Sequence, residues 1–331
     1  MIKKEFYKLG DVSQSLTDLR NKGYVKGKST GLFSLDENIT LVKGYPFFVA
    51  GSPGSGKTEF VLEVLINTSK KYGWKHFIYV GENGETRDIF AELCFKYAGK
   101  SYIKGYPNSL DEKEAVSVEY FINEHFVVVN AEFDYTIDDF YKSCERAEKE
   151  YNVKFDTTLF DPFNDIIDES DLHKGRDDKW LNVALKTVRN SSKNNKRIDF
   201  IIEHVSDPAP EKDKDTNNWF TRPAKASEWA KGKTWHRRGF MMVLIYRPPI
   251  FLTDKNGRNY DENETLVIIQ KAKPKGAGKI GTMSIWFNKT KNKFYYKDSY
   301  GNELYGCETS KDTLYKPQSE AISNYQLDNP F

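Results

Sequence analysis

The eight residues Gly51-Ser52-Pro53-Gly54-Ser55-Gly56-Lys57-Thr58 satisfy G-x-x-x-x-G-K-[ST] at every defined position. Such a glycine-rich turn, placed between a strand and a helix, points several backbone N–H groups at one spot. The helix N-terminus adds the positive end of its dipole there. Polyphosphate is the natural ligand of that arrangement. Lys57 is expected to reach the β- and γ-phosphates of a nucleoside triphosphate, ATP or another, and Thr58 to place its hydroxyl on Mg²⁺. Both flanks agree. Tyr45 to Ala50 is an apolar run of strand length, and Glu59 to Ile66 carries apolar residues at helical spacing.

Two acidic residues extend this chemistry. Thr157-Thr158-Leu159-Phe160-Asp161 is an apolar strand ending in Asp, the pattern of a residue that holds Mg²⁺ at the carboxyl edge of a sheet. Glu82 follows the strand-like run His76 to Gly81. If that strand neighbours the P-loop strand, Glu82 stands where a base could orient an attacking water; a solvated loop carboxylate is the plain alternative.

The elements that must position these residues alternate. Strands are predicted at His76 to Gly81, Phe126 to Asn130, Phe155 to Phe160 and Ile198 to Glu203. Helices are predicted at Thr86 to Tyr97, from Thr136 onward, where Thr136-Ile137-Asp138-Asp139 makes a capping box with Asp in place of Glu, and at Trp180 to Ser191. That alternation implies an α/β fold, a mostly parallel sheet flanked by helices. From Phe240 the pattern changes to strand-like pieces with turns between them, at Met241 to Tyr246, Thr265 to Gln270, Thr282 to Phe287 and Lys293 to Tyr296. They predict antiparallel edge strands. The polar stretch Asp207 to Ala226 is long for a connection and reads as a functional loop.

The chain has 331 residues, 38% of them hydrophobic and 30% charged, with a net charge of +2, so any nucleic-acid surface must be local. Cys94, Cys144 and Cys307 lie far apart and form no C-x-x-C pair, which suits a reducing compartment. No apolar run approaches the length of a membrane span. The expected location is the cytoplasm of a bacterium or a phage-infected host.

Around the P-loop, further motifs resemble RecA-like hexameric replicative helicases of the DnaB, Twinkle and phage primase-helicase type. Thr30-Gly31-Leu32-Phe33-Ser34-Leu35-Asp36 resembles their T-G-x-x-x-L-D lead-in. Gly81-Glu82-Asn83 is similar to their strand-end Glu-Asn, and Asp161-Pro162-Phe163-Asn164 to the Asp-Pro-aromatic-Asn of the Twinkle-like branch. Glu203-His204 stands at the strand end where that branch has Thr-His-Pro. Ser227-Glu228-Trp229-Ala230-Lys231 resembles Ser-x-x-Trp-x-Lys. Gln270 to Lys273 with Gly276 to Gly281 resembles the K-x-R hairpin.

The resemblance covers about residues 25–300. It implies a RecA-like P-loop NTPase core, a hexameric ring on single-stranded DNA, and Glu82 as general base. It also implies that His204 couples the γ-phosphate to DNA loops, and that the hairpin serves a neighbouring subunit's ATP. Here Lys271 and Lys273 stand where the family has an arginine finger; a lysine neutralises charge but cannot pair bidentately. A strand-end histidine and an exposed lysine hairpin are the plain alternatives for these residues. The expected organisation is a linker or docking segment at 1–28, an ATPase domain at 29–300 and a tail at 301–331, with no primase or collar domain in front.

DNA contacts are expected from two loops. One runs from Asp168 to Asp178 with Lys174 and Arg176; the other holds Lys212, Lys214, Arg222 and Lys225 beside Trp219-Phe220. Both carry many acids, so solvated charged loops are the alternative reading. The tail ends Gln326-Leu327-Asp328-Asn329-Pro330-Phe331, similar to peptides that dock on sliding clamps or serve as termini of single-strand-binding proteins. It offers contact with a replisome partner. The expected activity is ATP-driven translocation and unwinding. A RecA/RadA-like recombination ATPase is the alternative, and a small-molecule kinase, lacking a visible lid, is the third reading.

Overall fold

The computed structural model describes residues 4–24, 26–82, 84–206 and 208–307. Asn83 and the tail segment Gln326 to Phe331 therefore lie outside the described residues. In chain order the first half holds α1 (Ser13–Lys22), α2 (Phe33–Asp36), β1 (Phe47–Gly51), α3 (Lys57–Tyr72), β2 (His76–Val80), α4 (Thr86–Ala98), α5 (Glu112–His125), β3 (Phe126–Val128), α6 (Ile137–Glu150) and β4 (Thr157–Asp161). The second half holds α7 (Asp177–Asn195), β5 (Ile198–His204), the short pair β6 (Glu211–Lys212) and β7 (Trp219–Phe220), α8 (Thr234–Arg238), β8 (Met241–Tyr246), β9 (Glu264–Lys271), β10 (Gly281–Asn288), β11 (Lys293–Lys297) and β12 (Glu303–Tyr305).

One ten-stranded sheet runs β12-β11-β10-β9-β8-β1-β5-β4-β2-β3. The strands from β8 through β1, β5, β4 and β2 to β3 are parallel, and those from β8 out to β12 pair antiparallel. The central parallel strands β1, β2 and β4 are buried at every position. Helices cover them on both faces, which is why they read as near-continuous apolar runs. Alternate side chains feed two cores. One lies against α3, with Phe60, Val61, Val64 and Leu65 facing Val49, Phe200 and Ile202. The other lies against α6, α7 and α8, where Phe140, Trp180, Leu181, Trp229 and Trp235 meet Phe48, Phe160 and Ile201.

Several expectations change. Met241 to Tyr246 belongs to the parallel half, because β8 pairs in parallel with β1 before turning into the antiparallel ladder. Helix α5 is an addition to the expected set. Asp111 caps it by accepting from Glu114 N at 2.9 Å, a capping box whose Asp and acidic first turn mark a start that apolar spacing alone does not show. The loop Asp207 to Ala226 contains the hairpin of β6 and β7. The sheet continues beyond residue 300 through β12, because Tyr305 packs on Tyr295 and joins the same aromatic layer. The cap read at Thr136 is present: its hydroxyl accepts from Asp139 N at 3.1 Å.

A polar weld ties the antiparallel half to the P-loop helix. Lys96, fully buried on α4, lies 2.7 Å from the Glu59 carboxylate and donates to the Asn292 carbonyl at 3.0 Å. Glu63, also buried on α3, accepts from Phe294 N at 3.3 Å, and Phe294 packs edge-on against Phe60. Removing one partner from such a site leaves an unpaired buried charge.

The second core supplies a stability prediction. Phe160 stacks on Tyr79 at 4.3 Å and meets Phe140 edge-on at 5.0 Å, with no solvent exposure. Phe160→Ala is expected to cost about 3–5 kcal/mol, read as a lowered denaturant midpoint; a loss under about 1 kcal/mol would contradict this packing.

Candidate nucleotide site

The P-loop is anchored from behind before it reaches any ligand. Asp36 accepts from Thr30 N and from the Thr30 hydroxyl, both at 2.9 Å, and from the Ser29 hydroxyl. This closes the Thr30–Asp36 lead-in into a loop. A Cβ on Gly31 would stand 2.4 Å from Asn67 Cβ on α3, so glycine lets the loop sit against the P-loop helix. The motif's physical content is thus an anchor for α3.

At the end of β1, Gly51 is pressed between two neighbours: an added Cβ would lie 2.4 Å from Ser55 Oγ and 2.5 Å from the Ile245 carbonyl. Gly54 and Gly56 hold positive φ of 72° and 90°, and Gly56 caps α3. Ser52 is half-buried, Pro53 and Gly54 face solvent, and Ser55 is buried with a side-chain oxygen that finds no partner in the protein. A turn of this shape, opening on the N-terminus of a 16-residue helix, has the donor set an anionic phosphate requires. Lys57, only 7% exposed, donates to the Ser52 carbonyl at 3.2 Å across the turn.

The other candidate residues converge on this lysine. Thr58 donates its hydroxyl to Asp161 at 2.5 Å. Lys57 Nζ lies 3.4 Å from His204 Nδ1, and His204 Nε2 lies 3.2 Å from Glu82 Oε1. An ammonium can only donate, so Nδ1 accepts and Nε2 turns its proton toward Glu82. The route to this contact differs from expectation. β2, which leads to Glu82, does not neighbour β1; β5 and β4 lie between them. Glu82 reaches the site because β5 ends level with the P-loop, Gly51 standing beside His204 in register.

Electrostatics follow from burial. Desolvation pushes the Asp161 carboxyl up to about 7, partly offset by the Thr58 hydroxyl and the Lys57 charge. Desolvation also lowers the Lys57 ammonium, while Asp161, Glu82 and Glu203 pull it back. Among the described residues no group of three His, Cys, Asp or Glu could hold a metal. A divalent cation here would therefore rely on Thr58, Asp161 and ligand phosphates, the way Mg²⁺ is held in phosphate-transfer sites.

Two sets of predicted residues lie elsewhere. Lys271, at the end of β9, stands opposite Met242 at the start of β8, whereas the P-loop follows the end of β1. Lys271 and the exposed Lys273 therefore sit at the opposite sheet edge from their own P-loop. Lys271 donates to the His236 carbonyl, and burial lowers its ammonium, with Lys273 adding repulsion. The DNA-loop candidates divide. Lys174, Lys214 and Lys225 are exposed, and Lys212 lies 5.8 Å from the ring centroid of Trp219, itself 68% exposed. Arg176 forks onto Asp178, and Arg222 onto Glu228 at 2.7 and 2.9 Å with Glu211 at 3.2 Å. Both guanidinium groups are thus committed within the chain. Sequence reasoning named Glu203 only as the neighbour of His204 and gave it no role; it is fully buried beside the site.

No protein-family model matches the chain. Over 191 residues it is 25% identical to the Twinkle homolog protein, chloroplastic/mitochondrial, of Arabidopsis thaliana, a match that takes in 56% of this chain. The chain spans 26% of that relative's length. Among solved structures it is similar to a DnaB-like replicative helicase determined with its primase interactions, at a TM-score of 0.64 and 16% identity over 88% of this chain and 67% of that one. It is also similar to a second solved structure, an ATPase domain, at a TM-score of 0.63 and 17% identity over 86% of this chain and 98% of that one.

The chain shares the fold of these two proteins. The RecA-like core and the mostly parallel sheet with antiparallel edge strands are as the motifs imply. The similarity to the plant protein agrees with the Twinkle-type resemblance of the motifs. No helix among the described residues is long and apolar enough to cross a membrane.

The raised Asp161 carboxyl makes the stability of the domain pH-dependent. Its folded value, about 7, lies above the ordinary 3.8, so its contribution is fully present below the lower value and is lost as pH rises through the higher one. Asp161→Asn carries no such titration. Without nucleotide, its melting temperature relative to the parent should rise between pH 4.5 and 8, by roughly 2–4 °C for each kcal/mol recovered. A pH-independent difference would place the carboxyl at its ordinary value.

Proposed function

We propose that this domain is the motor of a ring-shaped replicative helicase, hydrolysing ATP with Mg²⁺ to move along single-stranded DNA and open duplex. The observation that carries this reading is the division of the sheet. Lys57, Thr58, Asp161, His204 and Glu82 meet at one edge, while Lys271 and Lys273 stand at the other, beyond reach of their own P-loop. A site completed by lysines from the far edge needs a second copy, and a closed ring of copies supplies one to each. Helix α1 suits the same assembly: it buries none of its residues, and Leu16, Leu19 and the following Tyr24 are 44%, 36% and 51% exposed. They would dock on the adjacent subunit.

Each residue's task follows from its geometry. The P-loop amides and Lys57 bind the β- and γ-phosphates. Mg²⁺, held through Thr58 and Asp161, would supply charge neutralisation at the phosphates. Glu82 orients and deprotonates water, and His204, touching both Glu82 and Lys57, senses whether the lysine is engaged by phosphate. The exposed lysines of the two loops contact DNA phosphates, with Trp219 available for stacking. The cytoplasmic location, and a replisome partner docked on Gln326 to Phe331, belong to the same reading.

Glu82→Gln should bind ATP within a few-fold of the parent yet hydrolyse it at least about 10²-fold more slowly, whereas Lys57→Ala should lose both binding and turnover. Parent-like turnover in the Glu82 variant would put the base elsewhere. Ring-shaped particles that unwind a forked duplex are expected; filaments without unwinding would favour the recombination ATPase.

Mixing Lys57→Ala subunits with Lys271→Ala/Lys273→Ala subunits should restore part of the DNA-stimulated ATPase, since some interfaces then contain an intact composite site. Co-assembly without rescue at any ratio would remove the trans-acting role of these lysines.

A further inference from the structure

Glu203 has no role in the site as described, yet it is the most unusual carboxyl beside it. It lies next to His204 on β5, in register with Ala50 of β1, and is fully buried. Its neighbours in alternation, Ile201 on the same face and Ile202 on the other, assign its side chain to the aromatic core of α7 and α8, away from the P-loop helix. One oxygen accepts from His204 N at 2.7 Å; the other is buried with no partner. A buried acceptor left in that state has given up its water without a replacement, so it favours any donor that can reach it. Burial raises this carboxyl to about 8, while His204 N, Lys231 and Lys57 pull it down.

Lys231 is the one of these cations on the same face as the loops. Its ammonium lies 2.5 Å from Asp168 Oδ2 and 4.1 Å from the Trp180 ring centroid. Asp168 opens the first candidate DNA loop and also accepts from Ser170 N at 2.7 Å. Lys231 closes the second: Val205 bridges Trp229, and Ala230 N donates to the His204 carbonyl at 3.0 Å. Lys231 itself holds a positive φ of 59°, a conformation a non-glycine residue keeps only when its surroundings impose it.

We propose that Lys231 exchanges between two carboxylates: Asp168 when the loops are free, and the unpartnered oxygen of Glu203 when DNA phosphates at the loops repel Asp168 from its place. Glu203 is then a positioning residue. Pairing with Lys231 supplies the charge that its buried carboxylate lacks, and the shift passes to His204 through the hydrogen bond from His204 N. DNA at the loops is thereby reported to the residue that touches Lys57 and Glu82. The inference rests on the ATP-hydrolysing, DNA-binding reading proposed above.

A double-mutant cycle tests it, with ATP turnover measured with and without oligo-dT. Asp168→Asn frees Lys231 and should raise DNA-independent turnover at least 3-fold. Glu203→Gln should leave DNA-independent turnover within 2-fold while reducing the DNA stimulation at least 5-fold, with oligo-dT affinity retained. In the double variant the rise caused by Asp168→Asn should vanish, and Glu203→Asp should recover part of the stimulation that Glu203→Gln loses. A merely structural Glu203 would lower the melting temperature without this dependence on Asp168. Multiplicative effects of the two changes, or no rise in Asp168→Asn, overturn the exchange while leaving the ATPase reading intact. A parent chain that hydrolyses no ATP under either condition overturns both.

Discussion

One largely buried ammonium governs the carboxyl edge of this sheet. Lys57 stands in the field of Asp161, Glu82 and Glu203, and of these Asp161 and Glu203 are cut off from water while Glu82 is exposed. The two buried acids respond by holding their protons near neutrality, at about 7 and about 8. The arrangement is therefore short of positive charge, which is the electrostatic condition under which a metal-bound phosphate ligand is welcome: the cation answers the carboxylates and the phosphates answer the lysine and the loop amides. The register of β1 against β5 fixes this balance, since Ala50 opposite Glu203 and Gly51 opposite His204 leave one side chain in each core. A slip of one residue would exchange their faces and place the histidine among tryptophans.

What the sequence made legible was local. The P-loop, the strand ending at Asp161 and the cap at Thr136 are each written in adjacent residues, because each depends on a turn, a strand or one helical turn. The motif Thr30 to Asp36 was visible as a resemblance, though its reason, a loop closed by Asp36 against Asn67, depends on α3 packing beside it. Strand order was not legible. Glu82 was placed on the condition that β2 neighbours β1, and the site forms even though β5 and β4 intervene, because all these strands end at one edge. Nor could spacing reveal that Arg176 and Arg222 are spent on Asp178, Glu228 and Glu211. In a stretch rich in both signs, pairing is decided by backbone geometry, and composition records only that both signs are there.

The antiparallel half is joined to the P-loop helix by a different kind of interaction from the one that joins the parallel strands. Apolar packing holds α3 against β1 and β5. By contrast, β11 and the turn before it meet α3 and α4 through Lys96, Glu63 and Asn292, all buried, and the half-buried Glu59. Such a weld is geometrically demanding, because every member needs its partner in place. It gives the far strands a defined attitude to the P-loop helix, which matters for residues such as Lys273 whose proposed work lies on another subunit.

A chain of contacts runs from Lys271 into the aromatic core and back. Lys271 donates to the carbonyl of His236 on α8; Trp235 of the same helix packs edge-on against Phe48 of β1 and beside Trp229; Trp229 donates to Gln270 at 3.0 Å, next to Lys271. This closed circuit of large, fully buried rings is rigid, and rigidity alone transmits no signal, because coupling requires an element with two arrangements. The aromatic core supplies the fixed frame, and the residue at its rim with a choice of acceptors is Lys231. On the proposed reading, a signal between the candidate DNA loops and the nucleotide site passes through an exchange of ion pairs at the rim of this packed core, and the lysines at the far edge are the ones a neighbouring copy would meet.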